Sequence, residues 1–406
     1  MKKTLVACLA TLAFSSAQAG TLLPPGTADQ QPSQLIAAPL PKGDFERKPV
    51  AVAWAMDPAA ELATAPPHRV QSREYWAAVD AGQLKSGFPL TTTAPGALVR
   101  ISPQSGAKSA AVDPGEVRLL RNGRPLPATA FKRLATTDQL RKAGMDVSDG
   151  TAIVQLDPST GQGRFDLQLG QASGRYLVHV FEPNSELVLV AQSERSRLLA
   201  GDRIEVAASL QRGKSALAGN VMQAQLVSPS GRSWPLAVRN GKATGQLPLD
   251  ADPTPGLWEV QLFAGAASKD GPVQRDARTA IEVSRPTARL GGGYAFDPGA
   301  VSFSLPVQVA APGRYELRGV LYATGPRGVM QPVAQAHSAN WLEAGQRKLD
   351  LTFGPANLPM GYGAPFELRF LELKDQTRLG TLETRELALR EGVRRPRPVI
   401  AGPRER

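Results

Sequence analysis

The chain has 406 residues, of which 42% are hydrophobic, 20% charged and 6% aromatic, with 39 Gly, 35 Pro, one Cys and three His. Apolar content at this level excludes a wholly disordered chain, and beyond the N-terminus no apolar run is long enough for a membrane-spanning helix. The formal charge of +11 bears on partners, favouring anionic ones, while one Cys and three His leave little material for thiol or metal chemistry.

Lys2 and Lys3 open the chain, Thr4 to Phe14 is mostly apolar, and Ala17-Gln18-Ala19 precedes Gly20. That is the three-part layout of a Sec-type signal peptide, expected to be cleaved after Ala19 and to export the protein to the periplasm or the exterior. Leu5-Val6-Ala7-Cys8 has the look of a lipoprotein box, but only four residues separate Lys3 from Cys8, too few for its apolar core. Cleavage after Ala19 removes Cys8 and lowers the formal charge to +9 as the two lysines leave. A mature chain without cysteine enters an oxidising compartment with no disulfides, so each domain has to be held by its own hydrophobic core.

Residues 20–44 are rich in Pro, Ala, Gln and Thr without periodicity and read as an extended, flexible leader. From 45 to 186 strand-like pieces alternate with turns, predicting a β-rich N-terminal domain. Ala97 to Ile101 is one strand, and Glu116 to Leu120 runs into Asn122-Gly123, a strong hairpin signal. Phe165, Leu167 and Leu169 alternate with polar residues, whereas Tyr176 to Phe181 is apolar on both sides apart from His179, predicting a strand buried on both faces. Helices are expected at Ser72–Gln83 and at Thr137–Ala143, the latter capped by Thr137 or Asp138.

From 187 to 284 the alternation is stricter: Ile204, Val206, Ala208 and Leu210, then Ala224 and Leu226, then Trp258, Val260 and Leu262 occupy every second position. Period two with frequent turns predicts an immunoglobulin-like antiparallel β-sandwich. A second such sandwich is expected at 285–390, from Phe303, Leu305, Val307 and Val309, from Leu349, Leu351 and Phe353, and from Phe366, Leu368 and Phe370. Residues 391–406 hold five Arg among three Pro and read as a disordered basic tail. A pattern of glycine, any residue, aromatic, any residue, apolar occurs at Gly174-Arg175-Tyr176-Leu177-Val178, Gly256-Leu257-Trp258-Glu259-Val260 and Gly313-Arg314-Tyr315-Glu316-Leu317. It predicts a turn glycine followed by an aromatic buried at the start of a strand.

The segment Pro89-Leu90-Thr91-Thr92-Thr93-Ala94-Pro95-Gly96-Ala97-Leu98-Val99-Arg100-Ile101-Ser102-Pro103 carries a resemblance, together with Pro255-Gly256-Leu257-Trp258-Glu259-Val260, Arg275-Asp276-Ala277-Arg278-Thr279-Ala280 and Pro286-Thr287-Ala288-Arg289-Leu290. On these motifs the chain resembles a family of uncharacterised secreted bacterial proteins. The resemblance implies a β-rich N-terminal domain and two immunoglobulin-like C-terminal domains, and it brings no catalytic set with it.

Reactive chemistry finds little support in the sequence. His68, His179 and His337 lie in a Pro-rich loop, an apolar strand and near a turn, without metal-ligand spacing. No G-x-S-x-G elbow is present, and no acidic pair sits in an aromatic-rich segment suited to a sugar cleft. Asp146-Val147-Ser148-Asp149-Gly150 with Asp157 lacks the spacing and final Glu of a calcium loop; like Leu249 to Pro253 it reads as a turn. Gly291-Gly292-Gly293 has no following helix to cradle a phosphate and reads as a joint or bulge. The expectation is therefore no catalytic, cofactor-binding or metal-ligating residues and no cofactor. Tyr75-Trp76 and Trp341 are the aromatics that suit a sugar or protein contact.

These readings favour an exported, non-catalytic binding or structural protein, with an envelope polysaccharide or protein surface as partner, no nucleic acid and no transmembrane segment. The alternative is a secreted enzyme with its site in the N-terminal domain, which requires a pocket gathering His68, Glu74 or Asp80. A third reading, assembly through sheet-edge pairing, requires a long open edge such as Leu349–Phe353.

Overall fold

Period-two patterning resolves into three separate cores in a computed structural model, which describes residues 18–217, 220–250, 252, 254–269 and 271–392. The expected signal peptide up to residue 17, Cys8 included, and the basic tail from 393 onward lie outside the described residues. The protein is mainly β, an antiparallel multi-sheet sandwich architecture with few helices. Among the described residues no helix is long and apolar enough to cross a membrane.

The first core lies between a five-stranded sheet, ordered Glu74–Asp80, Arg175–Phe181, Leu98–Pro103, Ala152–Leu156, Phe131–Ala135, and a four-stranded sheet built around Gly163–Leu169. Alternate residues from both sheets, among them Val99, Ile101, Val154, Phe165, Leu167 and Tyr176, fill the space between them. The Asn122-Gly123 hairpin forms as expected: φ is 53° at Asn122 and 73° at Gly123, the left-handed pair that a two-residue turn between twisted strands requires.

The second core is enclosed by one ten-stranded sheet, nine of whose strands follow a single path. Strand Ser233–Arg239 pairs at one end with Val221–Val227 and at the other with Lys242–Gln246, which folds the sheet over on itself. Leu189, Ile204 and Val206 thereby face Trp258, Val260 and Leu262 in a single cluster. One pair, Arg197–Leu199 with the end of Gly271–Ser284, is parallel. The third core sits between two five-stranded sheets, one centred on Gly313–Thr324 and the other on Ser302–Val309. The three repeated aromatics behave as expected: Tyr176, Trp258 and Tyr315 are at most 1% exposed. Tyr315 donates its hydroxyl to Ala311 O at 2.6 Å, a bond to upstream backbone of the kind seen in tyrosine corners.

Residues 20–44 and the start of the 45–186 segment differ most from expectation. Instead of trailing as a leader or joining the first core, they strap the other two. Strand Gln18–Thr21 pairs with Gly293–Asp297, and Leu22 enters the third core. Gly20 is needed there, because a Cβ at that position would fall 2.3 Å from the Tyr294 ring. Strand Val50–Ala55 pairs along Met330–Leu342 as the outer strand of the third unit, and Arg69–Ser72 adds to the second unit beside Leu187–Ser193. The first core accordingly begins at Glu74, and its neighbours are bound by chain that precedes it.

Four local expectations need correction. Ser72–Gln83 is largely strand, Glu74–Asp80, followed by a short helix Ala81–Ser86. There Asp80 accepts from Gln83 N and Gln83 reaches back to Asp80 N, a capping box that fixes the helix start later than the apolar pattern suggested. The second helix, Thr137–Lys142, is capped by Thr136, again with Gln at the third position. The strand Arg175–Phe181 is buried on one face; Leu177 and His179 are half-buried and Phe181 is exposed. Finally, Phe370 does not continue the inward row of Phe366 and Leu368: a bulge after Leu368 resets the alternation, and Leu371 and Leu373 take the core positions.

Candidate functional site

The register of the first sheet places His179 directly between Trp76 and Arg100 on neighbouring strands. The alternate residues Tyr75, Val99, Val178 and Val180 face the core, so this row projects from the other face, against strand Gly271–Ser284 of the second unit. The indole of Trp76 stacks on His179 with ring centroids 3.9 Å apart and planes 10° apart. His179 Nε2 lies 2.8 Å from Glu74 Oε2, and the Arg100 guanidinium stands 6.0 Å from the Trp76 centroid. Trp76 N–H donates to Asp276 Oδ2 of the second unit at 2.8 Å. Burial pushes the Asp276 carboxyl up to about 6, against the opposing pull of the Trp76 amide and Arg278. The hydrogen bond from His179 holds the Glu74 carboxyl below its usual value.

Next to this row, the same seam contains a fully buried ion pair. Arg275 Nη2 lies 2.5 Å from Glu182 Oε2, both side chains having no exposure. The guanidinium also donates to Leu187 O, Gln274 O, Thr93 Oγ1 and Ser185 Oγ. The carboxylate accepts from the backbone N–H groups of Thr93 and Ala94. A charge buried without such partners would be prohibitively unfavourable; here nearly every donor and acceptor is matched across two units. The site is thus a polar clasp flanked by a stacked Trp–His pair, and its carboxylates and cations are engaged in holding the units together.

The other residues singled out by the sequence are dispersed. His68 is exposed ahead of strand Arg69–Ser72, and Asp80 caps its helix, so His68, Glu74 and Asp80 do not form a pocket. His337 stacks on Trp54 at 5.1 Å and lies 2.8 Å from Glu316 Oε1, in the third unit. Trp341 is already covered within the chain, by Phe45 at 6.2 Å and by the Arg47 guanidinium at 4.1 Å. Asp149 pairs with Arg141, Asp157 caps a one-turn helix, and Asp252 accepts from Ser228 and Thr254, all as turn residues. In the glycine run, Gly292 O accepts from Leu22 N and a Cβ on Gly291 would meet Pro306 at 3.0 Å, so this joint is a docking point for the N-terminal arm. Strand Gly345–Thr352 is an edge, but its exposed residues include Arg347, Lys348 and Asp350, the charged protection that discourages edge pairing. Among the described residues no group of three or more His, Cys, Asp or Glu is arranged to hold a metal ion.

Arg275 and Asp276 stand in a sequence motif that does not by itself mark them as site residues. A signal was present: Arg275 shares the parity of Val273, Ala277 and Ile281, and so places a charge at a core-facing position. The motif segments in fact meet in space, Thr93 and Ala94 of one enclosing the carboxylate that binds Arg275 of another.

Two models of one family match the chain: the N-terminal domain of the domain of unknown function DUF4785 over residues 41–182, and its C-terminal domain over residues 287–390, together more than half of the sequence. The chain belongs to the DUF4785 family. A solved DUF4785 protein from Legionella pneumophila has 22% identity and a TM-score of 0.72, with 91% of this chain and 99% of that one covered, a likeness of fold. Trypsin-activated alpha-2-macroglobulin from Escherichia coli has 14% identity over 70% of this chain and 21% of that one, at a TM-score of 0.20. Methylamine-reacted alpha-2-macroglobulin from Salmonella is similar at 14% identity over 82% and 24%, with a TM-score of 0.21. No curated protein matches the sequence.

Proposed function

We propose that this DUF4785 protein is an exported, non-catalytic binding or structural protein whose partner is a cell-envelope glycan or protein surface. The observation that carries this reading is the use made of its ionisable groups. The buried Glu182–Arg275 pair and the Asp276–Trp76 bond join two sandwich units, and residues 20–72 strap the second and third. A set of β-sandwich modules clasped in this way presents its loops and seams in a fixed relation, the arrangement that suits recognition. The signal-peptide layout supplies the compartment. The test is co-sedimentation of the mature chain with purified envelope sacculi and envelope proteins, with and without calcium, alongside mass spectrometry of the supernatant. Saturable capture without product supports the reading, and release of a cleaved or modified product overturns it.

A further inference from the structure

We propose that the cleft where the N-terminal arm crosses between the second and third units is a saccharide-binding site; the inference rests on the binding reading above and assigns it a place. The cleft has a volume of about 390 Å³ and is enclosed by arm residues 27–30 and 64–67, the turn at 194–197, and strands Gly363–Asp375 and Gly380–Glu391. That size falls within the roughly 300–1,000 Å³ of small-molecule sites.

Two features mark the cleft. Phe370 has φ of +49°, a conformation rare for a bulky aromatic, and the bulge that produces it takes the half-buried ring out of the core row and into the cleft lining. Strain of this kind concentrates at ligand sites. Gln30 is 4% exposed, and its Nε2 donates to Thr381 O at 2.7 Å and Leu382 O at 3.3 Å. Two carbonyl partners fix the orientation of the amide, and its buried Oε1 is left with no donor, a costly arrangement beside the cleft wall.

The charges around the cleft select the ligand. Glu194 and Glu386 are exposed and form no side-chain hydrogen bond or ion pair among the described residues. Arg195 commits one Nη2 bond to Thr27 O, and Arg197 is paired with Glu372 and Glu282. Both signs alternate around the rim, so neither a bare anion nor a bare cation gains from entering. A neutral polyhydroxyl ligand donates to Glu194 and Glu386, accepts from Arg195, and lays the apolar face of a sugar ring on Phe370.

The test is calorimetric titration of the full chain, lacking only the expected signal peptide, with a neutral N-acetylglucosamine tetramer, its cationic deacetylated form and an anionic hyaluronan tetrasaccharide. The same titrations are run on Phe370→Asn, which tolerates the left-handed backbone, and on the exposed pair Glu194→Ala/Glu386→Ala, with thermal unfolding to verify folding. The neutral tetramer is expected to bind best and to lose about tenfold or more in affinity in each variant. Equal affinity in wild type and variants, preference for a charged oligosaccharide, or no binding of the tetramer each overturn the site. Sacculus co-sedimentation that persists in those cases leaves the wider binding reading standing. Displacement of sacculi by the tetramer identifies the saccharide as envelope glycan, and tetramer binding without displacement identifies a soluble one; both outcomes support the cleft.

Discussion

Replacing Arg275 by methionine removes the guanidinium that faces the Glu182 carboxylate while retaining most of the side-chain volume. The carboxylate keeps its bonds from Thr93 N and Ala94 N, but it is left as a buried anion with no counter-charge, and Leu187 O and Gln274 O lose donors. Removing one partner of such a pair costs about 3–5 kcal/mol, whereas removing both charges at similar volume is near neutral. Arg275→Met is therefore expected to be strongly destabilising. Adding Glu182→Gln to it should restore part of the loss, a coupling of about 2 kcal/mol or more between adjacent, interacting groups. Urea unfolding of wild type, both single variants and the double variant measures this as a shift of midpoint at constant slope. Amide exchange at Thr93 and Ala94 locates the loss at the seam. A cost below about 1 kcal/mol for Arg275→Met, or a double variant as unstable as the two single effects added together, would refute the clasp.

Three further outcomes follow from the same geometry. Asp276, raised from 3.8 to about 6 by burial, holds a proton in the folded state that the unfolded chain has released, so its contribution is full below pH 4 and is lost as pH rises through 6. Asp276→Asn should therefore raise stability at pH 7.5 and flatten the pH 4–6 slope, while keeping the Trp76 bond; thermal scans across that range check it, and a less stable variant at pH 7.5 counts against it. Glu74 titrates oppositely, its lowered value making its contribution present at neutral pH and lost in acid, so Glu74→Gln should reduce stability at pH 7 and converge with wild type at low pH. Trp258, 1% exposed and stacked on Trp234 at 5.2 Å, should cost about 3–5 kcal/mol when cut to alanine, read by urea unfolding.

Much of the strand layout was legible because most strands in this chain bury one face against a local core, and period two records that. Phe165, Ile204, Trp258 and Phe303 all face inward as the pattern requires. The arm was not legible for the complementary reason. Val50–Ala55 completes a sheet whose neighbouring strand, Met330–Leu342, lies far away in sequence, and its outward face leaves Val50, Val52 and Trp54 exposed, so composition near residue 50 records no buried stripe. Phe370 was misplaced because one inserted residue inverts the parity of all that follows it. The candidate site was half visible: Trp76, Glu74 and His179 drew attention singly, but their juxtaposition depends on strand register, and Asp276 reaches them only because two units pack.

The motifs that carried the family resemblance acquire a common physical meaning from this packing. Thr93 and Ala94 donate backbone N–H groups to Glu182, Arg275 closes the pair, and Thr287 at the next junction donates to Asp375, itself bonded to Arg378, whose guanidinium reaches Ala38 O of the arm. Each is a buried polar network completed from outside its own unit, the first by Arg275 of the second unit and the other by the arm. A core position tolerates any side chain of suitable volume and polarity, whereas a buried guanidinium with five donors accepts little but its matched acceptors. Segments at such seams are therefore constrained residue by residue, while the sandwich interiors are constrained only in pattern. On that argument a family of this architecture is recognised by its joints, and the surfaces left unconstrained by the joints, the three-way cleft among them, are where members sharing the fold are free to differ in what they bind.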